Sequence, residues 1–110
     1  MNADDFQLLE TVGAETAVAA GQVLIEPGQH GSGLYVLLEG TVLIEAPEGT
    51  RELGPGSVIG ERALLSAEGT RTARVRATSD VRVLAVDRIE FERLCADDAG
   101  LADRVSDAGG

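Results

Sequence analysis

Gly56-Ser57-Val58-Ile59-Gly60-Glu61-Arg62-Ala63-Leu64-Leu65, followed by Thr70-Arg71-Thr72-Ala73-Arg74-Val75-Arg76-Ala77, is the stretch on which the reading of this chain turns. Its second half has the two-residue period of a strand, with Ala73, Val75 and Ala77 on one face and Thr72, Arg74 and Arg76 on the other. Parity puts Arg71 on the apolar face. A guanidinium there needs an anion beside it, because an unpaired buried charge is strongly destabilising. The anion is either a carboxylate of the chain, with Glu61 as the candidate, or a group on a ligand. Taken alone, such a Glu and Arg read first as an internal salt bridge.

The first half of the stretch supplies what a ligand would need. Ala63-Leu64-Leu65 can form one helical turn whose leading N–H groups have no intrahelical acceptor and so suit phosphate oxygens. Gly60 lets the main chain approach closely. Glu61 repels phosphate, but beside one it can accept a hydrogen bond from a sugar hydroxyl, while Arg71 spans two phosphate oxygens and offsets both negative charges. Glycine, carboxylate, bare amides and arginine together describe a clamp for a ribose phosphate.

Outward from this stretch, turn signals are dense: Pro27-Gly28, Gly31-Ser32-Gly33, Gly40, Pro47-Glu48-Gly49, Gly54-Pro55-Gly56 and Gly69. Between them lie short β-type runs at Val23–Ile25, Leu34–Leu38, Val42–Ile44, Ala73–Ala77 and Val81–Val86. With no helix between them long enough for a parallel crossover, these predict a mostly β fold, an antiparallel β-barrel or jelly roll. A short N-terminal helix precedes it: Asp4 and Asp5 sit in the first turn, Phe6, Leu9 and Val12 share a face, and Gly13 stops it. From Asp87 the period becomes helical, with a capping box in Asp87-Arg88-Ile89-Glu90 and apolar positions at Val86, Phe91, Leu94 and Cys95. A second helical stretch runs from Leu101 to Val105. The expectation is one domain over residues 1–110, the barrel at about 14–86 and a C-terminal helical segment at about 87–106.

Composition excludes several classes. The chain has 110 residues, 44% of them hydrophobic, enough for one core. Nineteen acidic against nine basic residues give a net charge of −10, which repels a nucleic-acid backbone and an anionic lipid surface. No apolar run approaches the roughly 20 residues of a membrane span. Met1-Asn2-Ala3-Asp4-Asp5 suggests a natural start and lacks the basic and apolar stretches of a secretion signal, so a cytoplasmic location is expected. The single cysteine, Cys95, cannot form an internal disulfide.

Gly60-Glu61-x-Ala63-Leu64 and Arg71-Thr72-Ala73 resemble the phosphate-binding cassette of cyclic-nucleotide-binding domains, in particular that of the bacterial catabolite activator and its relatives. Pro27-Gly28, Leu34 to Val42 and Asp87-Arg88-Ile89-Glu90-Phe91 resemble further landmarks of the family in the same order, so the resemblance covers about Phe6 to Cys95. It implies a non-catalytic sensor for a cyclic mononucleotide, cAMP or cGMP, with no other cofactor and no metal. By resemblance, Glu61 would hold the ribose 2′-hydroxyl and Arg71 the cyclic phosphate. The amides of Ala63 and Thr72 would add phosphate contacts, and Gly60 would leave space for the sugar. A threonine at 72 can also reach a syn guanine amino group. Two departures stand out: the long helix that caps the base and often forms the dimer interface is at most a stub, which favours a monomer, and the helix-turn-helix of the catabolite activator is missing. The reader of the bound state would then be an unidentified effector protein or domain.

Other residues have plainer readings. Arg62, Arg74 and Arg76 read as a solvated face, His30 as an exposed turn residue, Cys95 as a small core residue, and Tyr35 as packing rather than a base-stacking ring. Two rival functions remain at this level: a protein-interaction module that keeps the fold without the nucleotide, and a small barrel enzyme of the cupin kind, for which one histidine is a poor metal set.

Overall fold

A computed structural model describes residues 2–26, 33–60 and 73–107. Among them are three helices, α1 (Ala3–Val12), α2 (Arg88–Asp97) and α3 (Leu101–Asp107), and eight strands. The strands are β1 (Ala14–Val18), β2 (Val23–Ile25), β3 (Gly33–Glu39), β4 (Val42–Ala46), β5 (Gly49–Leu53), β6 (Val58–Ile59), β7 (Arg74–Ala77) and β8 (Val81–Asp87). They form two four-stranded sheets, ordered β1-β8-β3-β6 and β2-β7-β4-β5, and every pairing is antiparallel. The antiparallel jelly roll expected from the turn spacing is therefore present as a sandwich rather than a closed barrel, with no strand pair joining the sheets among the described residues.

Two apolar clusters hold it together. One lies between the sheets and contains Ile25, Leu37, Val42, Ile44, Ile59, Val75, Ala77, Val81 and Val83. The other lies between the first sheet and the helices, with Leu34, Val36, Val58, Leu84 and Val86 meeting Leu9, Phe91, Leu101 and Val105. Alternation along β3 and β8 explains the division: Leu34 and Val36 face the helices while Tyr35 and Leu37 face the second sheet, and Leu84 and Val86 oppose Val81 and Val83 in the same way. In the second sheet Val75 and Ala77 are buried, and Arg74 and Arg76 turn outward as their parity demands.

The helix ends follow local chemistry. At α1, Asn2 accepts from the Asp5 N–H while the Asp5 carboxylate accepts from the Asn2 N–H, and the Gly13 N–H closes the other end on Leu9. At α2, Asp87 is the N-cap and accepts from the Ile89 N–H at 2.7 Å, while the Glu90 carboxylate pairs with Arg93 at 3.1 Å. Val86, which the sequence places both in the β-type run Val81–Val86 and on the helical stripe, is the buried penultimate residue of β8. Three strands went unread: β1 and β5, mostly exposed, and β6, only two residues long.

Candidate functional site

The clamp motif begins where β6 ends. Tyr35 of β3 pairs with Ile59, and Val36 with Val58, which fixes β6 at the edge of the first sheet. Val58 then faces the helices and Ile59 the space between the sheets. Gly60 follows with a φ of +86°, the left-handed region that a side chain disfavours. The chain re-enters the described structure at Ala73, packed against the inter-sheet cluster, and continues as β7 within the second sheet. The segment between Gly60 and Ala73 thus links the edge of one sheet to an inner strand of the other. Glu61, Arg62, Ala63, Arg71 and Thr72 lie outside the described residues, as does His30; of the expected site residues only Gly60 lies within them.

The space between the sheets is not filled throughout. A hollow of about 380 Å³ lies at the β1 and β2 edges, lined by Thr16 and Val18 of β1, Gln22 and Val23, Tyr35 of β3 and Val83 of β8. Its volume is at the lower end of small-ligand pockets. The lining holds hydroxyl and amide groups but no charge, and the Gln22 side-chain oxygen already accepts from the Ala19 N–H at 2.9 Å. Phosphate would find no counter-charge there. Tyr35 packs against the inter-sheet cluster, as read, and also walls this hollow. Thr16 and Val18 had no sequence signal, because β1 is an edge strand built largely of small and polar residues.

The described arginines of β7 are engaged on the outer face. Arg74 pairs with Glu26 at 3.1 Å, and Arg76 Nη2 lies 3.0 Å from Glu45 Oε1. That oxygen is shielded from water and lacks a well-directed hydrogen bond, so the Arg76 contact is a charge pair rather than a strong donor–acceptor bond. Cys95 is half-buried against the helix-side cluster. Burial raises its thiol pKa above the ordinary value, and Asp98 and Glu92 push it further the same way, so it remains a thiol at neutral pH and a poor nucleophile. Among the described residues no three His, Cys, Asp or Glu side chains come together as a metal site, and no helix is long and apolar enough to cross a membrane.

The fold is a two-sheet jelly roll with helices on one face and a glycine-led segment between β6 and β7. The cyclic nucleotide-binding domain family matches residues 15–98, and the chain belongs to it. It is 37% identical over 98 residues to a cyclic nucleotide-gated potassium channel of Mesorhizobium japonicum, covering 87% of this chain and 27% of the channel. It is 35% identical over 91 residues to a cGMP-dependent protein kinase of Caenorhabditis briggsae, covering 80% of this chain and 12% of the kinase. Among solved structures, one from work on a cyclic-GMP-dependent signalling pathway in bacterial phytopathogenesis superimposes with a TM-score of 0.83. It is 28% identical, and the match covers 96% of this chain and 87% of the other. The chain spans about a quarter of the channel's length and about an eighth of the kinase's.

Proposed function

We propose that this chain is a non-catalytic sensor domain that binds a cyclic purine mononucleotide, cAMP or cGMP, between Gly60 and Ala73. Arg71 holds the cyclic phosphate, with the backbone amides of Ala63 and Thr72 as further donors, and Glu61 accepts from the ribose 2′-hydroxyl. Gly60 gives the sugar room. The observation that carries this reading is Gly60 itself. It stands in a left-handed conformation at the end of β6, where the stretch that resembles the family's cassette starts and where Glu61 is the next residue. The family match supports it, and a cGMP-dependent kinase among the relatives, together with Thr72, keeps guanine in view. The bound state would act on an effector protein or domain; a cytoplasmic setting suits such a role.

Calorimetry with cAMP, cGMP, their 2′-deoxy forms and the non-cyclic monophosphates tests it. The cyclic ribose forms should bind, and Arg71→Ala should cost about 2–5 kcal/mol, or about 30-fold to several thousandfold in affinity, because a desolvated phosphate loses its counter-charge. Loss of the 2′-hydroxyl should weaken binding strongly by leaving the Glu61 carboxylate without its donor. Heat evolution and melting temperature unmoved by either cyclic nucleotide would instead favour the interaction module.

A further inference from the structure

Asp5 is the one buried charged side chain among the described residues, 2% exposed. Its partner comes from the opposite end of the chain: Arg104 Nε donates to Asp5 Oδ2 at 2.8 Å. The same guanidinium, through Nη2, donates to Asp98 Oδ2 at 2.5 Å. Asp98 is the C-cap residue of α2, and its other oxygen accepts from the Gly100 N–H at 3.1 Å, which fixes its direction. A side chain at 100 would crowd Arg104, since a Cβ there would lie 2.6 Å from Nη1. One arginine of α3 therefore bridges the first turn of α1 and the end of α2.

The helix that carries it is a short one. With seven residues, α3 is too short to persist by its own hydrogen bonds, and its buried anchors are Leu101 and Val105. Both enter the cluster that also contains Leu9 of α1 and Val58 of β6. Two residues after Val58 comes Gly60, so the apolar floor beneath α1 and α3 includes the strand that leads into the proposed cassette.

We propose that Arg104, with Asp5 and Asp98, is an ionic clasp that makes α1 and α3 a single cooperative unit, opening and closing together on the first sheet while the strands stay folded. The unit joins the two ends of the described chain over Val58, and it exists whether or not the domain takes a nucleotide.

Hydrogen exchange on the full chain tests the clasp, comparing the wild type with Asp5→Asn, Arg104→Gln and Arg104→Lys. Arg93→Gln, which removes a surface pair with Glu90, is the control. In Asp5→Asn and Arg104→Gln, amides of 3–12 and 101–107 should exchange on the order of tenfold faster, by the same factor in both helices, while amides of β3 and β8 keep their wild-type rates. Arg104→Lys, which cannot fork across two carboxylates, should be intermediate. Acceleration confined to α3, no acceleration, an equal acceleration of the strands, or the same response in Arg93→Gln would each overturn the proposal.

Discussion

The two sheets are built to different rules. The first is a central layer: β3 and β8 bury side chains on both faces, Leu34, Val36, Leu84 and Val86 against helices and Leu37, Val81 and Val83 against the second sheet. The second is an outer layer, in which Val75 and Ala77 point inward and Arg74 and Arg76 pair with Glu26 and Glu45 facing solvent. The difference teaches which layer connects the inter-sheet space to the helices. Among the described residues only the first sheet touches both the inter-sheet space and the helices, and its edge strand β6 divides the task between adjacent residues, Ile59 to one side and Val58 to the other. On the proposed reading, a displacement at Gly60 would reach the helices through Val58, which packs in the helix-side cluster, whereas the ion pairs of the outer sheet face solvent.

Substitutions should separate the layers. Phe91→Ala empties a fully buried position between α2 and the first sheet and should cost about 3–5 kcal/mol in denaturant unfolding. Hydrogen exchange near its midpoint should show the helices losing protection before β4 and β5; simultaneous loss would mean the layers are one unit. At the junction of the first sheet with the cassette, Gly60→Ala forces a side chain into the left-handed region and should cost about 1–2 kcal/mol. On the Proposed function reading it should also weaken cyclic-nucleotide binding, measured by calorimetry on the folded variant. In the outer layer, a double-mutant cycle between Arg76 and Glu45 should give a coupling below about 1 kcal/mol that shrinks with salt, because both side chains are partly exposed.

The smallest effect at neutral pH comes from titrating Asp5, which is fully ionised there. The Arg104 side-chain hydrogen bond, and after it the Asn2 N–H and the charges of Arg104 and the N-terminus, outweigh burial and hold its carboxyl pKa below the ordinary 3.8. The unfolded chain therefore binds the proton first as pH falls. Its contribution is fully present above the unfolded value and is lost as pH falls through the lower folded one. Acid unfolding of Asp5→Asn should accordingly be less steep below about pH 4 than that of the wild type.

Much of the architecture was legible because local patterns and tertiary burial agree. Val23–Ile25 is a strand with the bounds its residues suggest, Gly13 and Asp87 mark helix ends, and the alternation of Val75 and Ala77 with Arg74 and Arg76 is the one observed. The strands that escaped lack such a signature. Ala14-Glu15-Thr16-Ala17-Val18 and Gly49-Thr50-Arg51-Glu52-Leu53 are edge strands whose exposed positions need no apolar residue, and they are strands because β8 and β4 offer hydrogen bonds. For the binding site, the residue types and spacing of Gly60, Glu61, Ala63, Arg71 and Thr72 are a sequence pattern, and the described structure contributes the framing of that segment by two sheets.

By itself the sequence determined the class of fold, through turn spacing and the two-residue period, and the candidate chemistry, through a glycine, a carboxylate and an arginine in one short segment. Tertiary structure alone decided which strands became the central layer, where the hollow beside Tyr35 lies, and that Asp5 serves Arg104 as well as the first turn of its own helix. Periodicity is a property of neighbours along the chain and survives without a fold. A contact between residues 5 and 104 exists only after the chain ends have been brought together, and no local pattern encodes that closure.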